Sequence, residues 1–374
     1  MEKDLLIVGA GLSGCVAAER AASQGLTSLI VDKRNHIGGN CYDEYHTSGV
    51  LIHRYGPHLF RTNKKEIVDY LSQFTTWIEG DYRVESYTKG QYYPIPINIT
   101  TLEKFFCKTL DRDSAATLLH SLKGIYYCQD PKNSEEFVLS QVGRELYEAF
   151  YLGYTLKQWD MHPKDLAPSV CGRVPVRLSR DCRYVDHKYQ IMPEHGFTRM
   201  ISNMIKRREI SVLLNTDYTK VKIKPKLATI YTGPIDEYFN YCFGRLPWRS
   251  LNFEFKEYNT EFRQHCLSIN YPNDFLYTRS VEIKHCTKQK HPSTVVSYEY
   301  SKSLGDPYYP VPSESSAELY EKYKRLAEKA KEEKEGKEEK EKVVFLGRLG
   351  TYSYIDMDTT IEQALAFFLS DIGQ

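Results

Sequence analysis

A glycine-rich turn near the start of the chain limits the possible folds more than any other feature. It lies in the stretch DLLIVGAGLSGCVAAERAASQGLTSLIVDKR. Residues 5–8 form a short apolar run that predicts a buried parallel strand, residues 13–24 predict a helix, and residues 29–31 predict a second strand. A strand, a tight turn, a helix and a second strand in this order are typical of a Rossmann-like α/β domain.

The glycines of this turn, Gly9, Gly11 and Gly14, have the spacing G-x-G-x-x-G. They allow a tight turn, let the backbone approach a pyrophosphate, and let the helix pack against the strand. The helix N-terminus, at Leu12 and Ser13, then offers N–H groups to the phosphates. The turn therefore predicts a dinucleotide site.

The residues after the second strand select among dinucleotides. Asp32 ends that strand, where an acid accepts hydrogen bonds from ribose hydroxyls. A second glycine pair follows at 38–39, which suits a long ligand lying close to the backbone and favours a resident FAD over NAD. The further residues expected to contact FAD here are Lys33, Arg34, Gly39 and Asn40.

The composition excludes several classes of protein. The 374-residue chain, long enough for two or three domains, has a net charge of +1, whereas nucleic-acid and membrane-surface partners usually need a basic excess. Nine cysteines are irregularly spaced without a CxxC pair, which indicates reduced thiols in a cytoplasmic protein and predicts no metal site. Charged residues at 2–4 argue against a signal peptide, and no apolar run approaches the roughly 20 residues of a membrane span.

The rest of the chain alternates between helical and β-rich patterns. We expect a helix over 64–76, a hairpin that turns at Lys89-Gly90, mostly helical structure over 100–165, and antiparallel strands within 173–192 and 251–300. Strand, turn and helix return in LATIYTGPIDEYF, and strand then helix in KVVFLGRL and TTIEQALAFFLSDI. The cofactor domain is therefore expected to be assembled from separated segments.

This pattern predicts four parts. They are an FAD-binding α/β domain of 1–80, 200–250 and 340–374; a helical domain with a mobile substrate loop, 98–168; an antiparallel sheet domain of 81–97, 169–199 and 251–316; and a charged surface helix, 317–342.

Seven short motifs occur in a characteristic order along the chain. They read KRNHIGGN, YGPHLF, GYTLKQW, GRVPVR, YTGPIDEYF, PYYPV and GRLGTYSYIDM. Together they resemble the bacterial UDP-galactopyranose mutase family, and the likeness runs from residue 1 to the C-terminus. The resemblance implies an FAD-binding α/β domain, a helical domain and a twisted antiparallel sheet, usually in a homodimer.

The resemblance also implies an activity. The family interconverts the pyranose and furanose forms of UDP-galactose for cell-surface glycans, and its FAD must be reduced, for example by NAD(P)H or a reductase. In the family's mechanism, N5 of the flavin forms an adduct with the anomeric carbon while UDP leaves. The protein must supply charge to the phosphates, position the sugar and exclude water.

The matched motifs carry expected site residues. The substrate would contact Phe150, Tyr151, Tyr154, Trp159, Arg173, Tyr184, Arg279, Tyr309 and Tyr354. Within this set, the two arginines would face the leaving pyrophosphate, Tyr184 would stack on uracil, and Trp159 would belong to the mobile loop. The flavin would contact His58, Gly233, Arg348, Asp356 and Met357. His58 would respond to the redox state of the flavin, since the pKa of histidine lies near operating pH.

The chain departs from the family pattern at five positions. Arg61 replaces the second histidine of His-x-Phe-His-Thr, Asp160 replaces a glycine, Thr351 replaces a glutamate, Asp358 replaces a histidine, and Asp32 is a conservative change from glutamate. The first four are expected around flavin and sugar, where new charges must be paired, solvated or bound to a different ligand. The sugar and nucleotide are therefore left open, with N-acetylated or deoxy sugars on UDP, dTDP or GDP as candidates.

Two other classes of function compete with a mutase. An FAD-dependent oxidoreductase of the amine-oxidase type shares the nucleotide motif, but it has no diphosphate to bind with paired arginines. A flavoprotein that has lost catalysis is disfavoured because Arg173, Arg279, Arg348 and Tyr354 occur together.

Overall fold

A five-stranded parallel sheet forms the centre of the fold. The computed structural model of the protein describes residues 2–172, 174–332 and 342–368. The three inner strands are buried along their whole length, as expected for parallel strands covered on both faces. In spatial order the strands are Ile210–Leu213, Ser28–Val31, Leu5–Val8, Ala228–Tyr231 and Val343–Phe345. The predicted Rossmann-like α/β class is confirmed.

The helix that follows the glycine turn, Leu12–Ser23, packs against the helices Met357–Phe367 and Phe197–Met204. Its alanine-rich sequence suits this position because small side chains let neighbouring backbones approach closely. Buried residues of these helices join those of the parallel sheet in the largest hydrophobic core of the molecule. This core fixes the turn between Val8 and Leu12.

A seven-stranded sheet forms the second layer of β-structure. In spatial order its strands are Tyr309–Pro310, Trp248–Tyr258, Thr294–Lys302, Arg279–Val281, Ser268–Asn270, Val84–Thr88 and Gln91–Ile95. All neighbouring pairs are antiparallel except Ser268–Asn270 with Val84–Thr88. The last two strands are the predicted hairpin, which turns at Lys89 and Gly90. The predicted separate antiparallel sheet is confirmed.

A helical unit lies beyond the hairpin, and its buried residues form one hydrophobic core with those of the hairpin strands. Asn98 and Asp111 each begin a helix with a reciprocal capping box, and Asn133 caps the next one. The unit contains Ile99–Phe106, Arg112–Lys123, Ser134–Tyr147, the π-helical segment Glu148–Leu152, and Gly153–Trp159.

Two small sheets complete the β-structure. One pairs Phe60–Thr62 and Trp77–Glu79 with Tyr189–Pro193, and the other pairs Asp43–Tyr45 with Leu51–His53. The remaining α-helices are Lys65–Leu71, Ile235–Tyr238, Lys284–Thr287, Glu314–Glu332 and Gly347–Gly350.

Three expectations differ from this architecture. The region 173–192 was expected to join the large sheet, but its strand pairs with segments near residue 60 and residue 77 instead. The helix expected over 64–76 ends at Leu71. The edge strand Ile210–Leu213 was not expected.

The predicted four-part division stays a prediction. The parallel sheet takes its strands from the three segments assigned to the cofactor domain, and the charged helix is described as far as Glu332. Residues 333–341 of that predicted helix lie outside the described residues.

Candidate functional site

The first of two large clefts lies at the carboxyl ends of the parallel strands, and we name it the glycine cleft. Of the predicted cofactor residues, it is lined by Gly9, Gly11, Leu12, Ser13, Asp32, Lys33, Arg34, Gly39, Asn40, His58, Gly233, Arg348 and Met357. This is the end of an open α/β sheet at which ligands bind. The structure thus brings together residues from the start, the middle and the end of the chain.

Three glycines shape the floor of this cleft. Gly9 has φ +107°, and a Cβ there would lie 2.1 Å from Thr232 Oγ1. A Cβ on Gly39 would lie 2.9 Å from Gly11 Cα, so two backbone segments meet without side chains between them. Gly14 does not line the cleft. Its Cβ would lie 2.1 Å from the Gly9 carbonyl oxygen, so its role is helix packing.

Charged side chains follow the end of the strand Ser28–Val31 at this cleft. The Asp32 carboxylate accepts hydrogen bonds from the backbone N–H groups of Ala10, at 2.7 Å, and Arg34, at 2.8 Å. The Arg34 guanidinium donates to Asn40 Oδ1 at 2.9 Å and lies 4.5 Å from the centre of the Tyr55 ring. Asp32 is therefore held in place beside the glycine turn.

These residues fit a dinucleotide. The Gly11–Gly39 contact forms a cradle that any Cβ on Gly39 would fill. The N-terminus of the helix that begins at Leu12 opens into the cleft, as pyrophosphate binding requires. The cleft then continues past His58 to Arg348 and Met357, which leaves room for a ligand longer than one nucleotide.

His58 lines the far part of the glycine cleft. Its Nδ1 lies 2.9 Å from the carbonyl oxygen of Gly56, which can only accept, so Nδ1 carries the proton and Nε2 is an acceptor. The pKa of His58 is lowered to about 3, chiefly by burial; the neighbouring His53, Arg348 and Arg279 act in the same direction, and the hydrogen bond to Gly56 opposes them. The expectation that its pKa lies near operating pH is therefore wrong for the protein alone, and the imidazole is neutral.

The second cleft adjoins the first, and we name it the tyrosine cleft. Eight residues predicted to bind substrate line it, namely Phe150, Tyr151, Tyr154, Trp159, Tyr184, Arg279, Tyr309 and Tyr354. The ninth, Arg173, lies outside the described residues. Asp356, predicted to contact the flavin, lines this cleft rather than the glycine cleft.

The helix Gly153–Trp159 forms one wall of the tyrosine cleft and is fixed at three points. A Cβ on Gly153 would lie 2.4 Å from the Pro272 carbonyl oxygen, so the helix packs directly on that turn. Lys157 Nζ donates to the carbonyl oxygens of Tyr271 and Asp274, both at 2.7 Å. Buried Arg249 donates to the Gln158 carbonyl oxygen at 2.9 Å. The GYTLKQW segment is thus positioned by its glycine and lysine.

Arg279 stands in the tyrosine cleft on the seven-stranded sheet. Its Nε donates to Oε2 of fully buried Glu299 at 2.6 Å. Burial disfavours the charge on Arg279, but the Glu299 carboxylate and the nearby Tyr154 and Tyr309 raise its pKa well above the usual value. Burial also raises the pKa of Glu299, and Arg279 opposes that shift. The short contact keeps the pair ionised and the guanidinium oriented.

Three tyrosines of this cleft are neutral hydrogen-bond donors. Burial raises the pKa of Tyr309 to about 12 and raises the pKa values of Tyr151 and Tyr154 as well. Tyr309 stacks on Tyr354 with ring centres 5.2 Å apart, and Trp159 lies 6.4 Å from Tyr309. Neutral phenols can donate to an anion without repelling it.

Arg348 connects the two clefts. It lines the glycine cleft, while its guanidinium carbon lies 5.1 Å from the ring centre of Tyr354 and 5.6 Å from that of Tyr309. It donates to the backbone carbonyl oxygens of Tyr308, at 3.1 Å, and Ile355, at 2.8 Å. These neutral acceptors orient the guanidinium and leave its charge for a ligand.

The departures from the family pattern are mostly outside the clefts. Arg61 lines the tyrosine cleft and pairs with Asp356 at 3.0 Å. Asp160 accepts from Ser303 Oγ at 2.8 Å, and Asp358 accepts from its neighbour's N–H in the first turn of a helix. Thr351 Oγ1 donates to the Gly347 carbonyl oxygen. Of the four, Arg61 alone lines one of the two clefts, and local backbone and side-chain partners satisfy the other three.

Sequence reasoning missed several lining residues. In the glycine cleft these include Thr216, Asp217, Thr232, Glu237 and Asp306, and in the tyrosine cleft Asn63, Tyr82, Ser86 and Asn270. Thr216 and Asp217 follow the edge strand Ile210–Leu213, and a prediction of that strand would have placed them at the carboxyl end of the sheet. Thr232 directly precedes Gly233, which was predicted. No local sequence pattern points to the other residues.

The comparisons with known proteins decide the family. A model of the UDP-galactopyranose mutase family matches residues 149–354, and one of an NAD(P)-binding Rossmann-like domain matches residues 7–74. A probable UDP-galactopyranose mutase of Klebsiella pneumoniae is 40% identical over 380 residues, which cover 99% of this chain and 96% of the relative. The chain belongs to the UDP-galactopyranose mutase family. The predicted family is therefore confirmed.

Other similarities agree with this membership. A dTDP-fucopyranose mutase of Escherichia coli is 35% identical, with 96% of each chain covered. The crystal structure of a reduced UDP-galactopyranose mutase shares the fold, with a TM-score of 0.73, 15% identity, and coverage of 99% of this chain and 96% of that one. Putrescine oxidase shares it more distantly, with a TM-score of 0.50, 14% identity, and coverage of 87% and 80%. The predicted FAD-type cofactor domain agrees with these findings.

Two further observations concern a membrane span and a metal site, both of which the sequence predicts to be absent. Among the described residues, no helix is both long and apolar enough to cross a bilayer. Ligand atoms of Glu85, His265 and Cys266 lie within 4.8 Å of one another, but none of these residues lines either cleft. The expected absence of a metal stays a prediction.

Proposed function

We propose that this chain is an FAD-dependent mutase that interconverts the pyranose and furanose forms of a nucleotide sugar, with UDP-galactose as the first candidate. Its family and its dinucleotide fold support this assignment. The observation that carries it is the position of Arg348, which lines a site suited to FAD and lies 5.1 Å and 5.6 Å from the ring centres of Tyr354 and Tyr309 in a site suited to a diphosphate. When bound and reduced, FAD supplies the nucleophile for the anomeric carbon.

Arg279 is the residue best placed to stabilise the leaving diphosphate. The departing group gains negative charge, and a cation already oriented by Glu299 needs no reorganisation to meet it. The guanidinium can bind two phosphate oxygens at once. We propose that Arg173, from the motif GRVPVR, contributes a second cation.

The tyrosines share this task as neutral donors. Tyr154, Tyr309 and Tyr354 surround the same space, and the raised pKa values of Tyr154 and Tyr309 keep their protons in place for phosphate oxygens. We propose that Trp159, beside Tyr309, covers the substrate and excludes water, and that Tyr184 stacks on the nucleobase.

His58 is proposed to adjust the charge beside the cofactor rather than to act as a general base. Its protonated Nδ1 and its neutral state leave Nε2 as an acceptor at the cleft wall. An anion bound next to His58 raises its pKa, so the imidazole can take up a proton when the cofactor becomes negatively charged.

A panel of nucleotide sugars tests the proposed function. The purified holoenzyme is incubated with UDP-galactopyranose, UDP-N-acetylgalactosamine, dTDP-fucopyranose and a GDP-sugar, with and without dithionite, and the ring form of the product is read by NMR. We expect a furanose product from at least one sugar, only with reduced cofactor. Absence of a furanose from every sugar would overturn the proposal.

A second candidate is an oxidoreductase, favoured by the fold likeness to putrescine oxidase. It predicts that turnover consumes oxygen or reductant in proportion to product, whereas a mutase consumes neither once the cofactor is reduced. An oxygen electrode in the same assay separates the two.

The compartment, the oligomeric state, the reductant and the biological role are also part of this proposal. We propose a cytoplasmic homodimer that uses an external reductant such as NAD(P)H or a reductase and that serves cell-surface polysaccharide synthesis. Size-exclusion chromatography with light scattering tests the dimer, and anaerobic mixing with NADH or NADPH tests the reductant.

A further inference from the structure

Glu85, His265 and Cys266 lie together outside both clefts, and we name them the sheet cluster. One ligand atom from each side chain lies within 4.8 Å of the other two. In the described part of the chain, no other group of three or more His, Cys, Asp or Glu side chains meets this distance. The sequence predicted no metal site because Glu85 lies 180 residues before His265, so the cluster leaves no local pattern.

The sheet cluster lies beside the one parallel pair of strands in the seven-stranded sheet. Glu85 belongs to the strand Val84–Thr88, and the other two members lie just before its parallel neighbour, Ser268–Asn270. Successive side chains of a strand point to opposite faces, so Glu85 lies on the far side of the sheet from Ser86, which lines the tyrosine cleft. A ligand bound by the sheet cluster would therefore join two strands behind the wall of that cleft.

The members of the sheet cluster are held by specific contacts. Nε2 of His265 contacts Oε2 of Glu85 directly, and the Cys266 thiol donates to the Ser268 carbonyl oxygen at 3.3 Å. The Tyr92 ring packs nearly perpendicular to the imidazole, with ring centres 4.9 Å apart. The side chains of Glu85 and His265 are 18% and 53% exposed, whereas Cys266 is buried. The sheet cluster is therefore open to solvent on the side of His265.

The three ligand types favour zinc. Thiolate sulfur, imidazole nitrogen and carboxylate oxygen are the groups that bind Zn²⁺ in proteins, whereas Ca²⁺ and Mg²⁺ prefer oxygen alone. Tetrahedral bonds of about 2.0–2.3 Å place ligand atoms about 3.3–3.8 Å apart. Small rotations of the partly exposed Glu85 and His265 side chains bring the sheet cluster to this spacing. One thiolate and one carboxylate then balance the charge of one Zn²⁺.

We propose that Glu85, His265 and Cys266 bind one Zn²⁺ ion, with water in the fourth position, and that the ion stabilises the sheet by joining its parallel strands. Binding replaces the contact between Glu85 and His265 with two bonds to the metal. Burial and the nearby Glu85 raise the pKa of the Cys266 thiol to about 12, so the ion displaces its proton to solvent. Because the sheet cluster lines neither cleft, the ion has a structural role that does not depend on the proposed function.

A zinc titration of the holoenzyme tests the site. The parent protein carries Cys107→Ser and Cys242→Ser, which remove the two exposed cysteines. Titration against a chromophoric chelator should show one site per chain. His265→Asn should weaken it at least about 100-fold, because a ligand matters more than a supporting contact, whose loss costs about 10–100-fold. His120→Asn, at an exposed position on the helix Arg112–Lys123, is the matched control and should bind like the parent. Equal affinity in His265→Asn and the parent, or no binding by the parent, overturns the inference.

A second test identifies the sulfur ligand and does not depend on the first variant. Co²⁺ takes the place of Zn²⁺, since tetrahedral Co²⁺ absorbs at longer wavelengths than oxidised flavin. We expect these bands in the parent and their loss in Cys266→Ser. Zn²⁺ should also raise the unfolding temperature of the parent but not of His265→Asn, and Mg²⁺ should change neither. Cobalt bands that persist in Cys266→Ser, or an equal effect of Zn²⁺ on both proteins, would show that the ion binds elsewhere.

Discussion

The two clefts differ in how they are built. Backbone forms the glycine cleft: Gly9, Gly11 and Gly39 bring main chain to its surface, and most of its predicted residues come from one segment, 9–41. Side chains form the tyrosine cleft, and they come from the helical unit, the seven-stranded sheet and the end of the chain. A site made of backbone is sensitive to any added Cβ, whereas a site made of side chains can change its ligand by single substitutions.

The largest effect is expected in the tyrosine cleft. Arg279→Ala should lower kcat about 100–1000-fold while FAD remains bound, because an oriented cation is lost from the developing charge. Kinetics and flavin absorbance per protein measure both quantities.

A control for this variant is needed because Glu299 would be left buried and unpaired. The double variant Arg279→Ala with Glu299→Gln removes that charge and should recover stability without activity. If either variant turned over at the wild-type rate, Arg279 would not contact the diphosphate.

The next largest effect is expected in the glycine cleft, where two glycine variants distinguish backbone strain from steric crowding. Gly9→Ala should reduce FAD content severely, since its Cβ would meet Thr232 Oγ1 at 2.1 Å in a left-handed conformation. Gly25→Ala has a similar conformational cost at φ +77° with nothing within 4 Å, so it should lose only about 1 kcal/mol of unfolding free energy and keep FAD. Equal FAD content in the two variants would argue against a cleft made of backbone.

A smaller effect concerns pH. The pKa of His58 is about 3 in the folded protein and near its usual value of about 6.5 in the unfolded chain. At pH values between these two, the unfolded chain therefore binds a proton at His58 that the folded protein does not bind. His58 therefore makes the protein lose stability as pH falls from about 6.5 towards 3, by at most about 1.4 kcal/mol per pH unit. His58→Gln should flatten this slope in urea unfolding followed across pH. If the free energy of unfolding depends on pH in the same way for the wild type and for His58→Gln, the imidazole of His58 is not both buried and neutral in the folded protein.

The smallest effect is expected beside Trp159. Asp160 has φ +56°, accepts a hydrogen bond from Ser303 and lies 3.6 Å from Arg249. Asp160→Gly relieves the backbone and removes both contacts, so stability should change by less than about 1 kcal/mol, while KM rises a few-fold through a looser Trp159. Ser303→Ala removes only one contact and should give a smaller rise. If KM changes in neither variant, Asp160 does not position Trp159.

The same difference between the clefts explains what the sequence could predict. Gly9, Asp32 and Gly39 lie close together in the chain, and their spacing alone indicates a dinucleotide site. Asp306 reaches that cleft from a distant loop, so no local pattern predicts it. The tyrosine cleft was predicted only through a family resemblance, because residues such as Tyr154 and Arg279 meet by tertiary packing.

The misplaced strand has a similar cause. Tyr189–Pro193 has a β-rich sequence, but its partners at 60–62 and 77–79 are more than 100 residues away. Propensity predicts a strand and not the sheet that it joins. For Arg61, the substitution was visible in the sequence, whereas its partner Asp356 required the structure.

The order of strands in the parallel sheet has a consequence for synthesis on the ribosome. Of the strands in this sheet, the central one, Leu5–Val8, emerges first, but one of its neighbours is Ala228–Tyr231 and one of the two outer strands is Val343–Phe345. At translation rates of about 5–20 residues per second, the first strand waits roughly 10–45 s for that neighbour. Cofactor loading is therefore expected to be almost entirely post-translational, and a nascent chain stalled before residue 340 should not retain FAD.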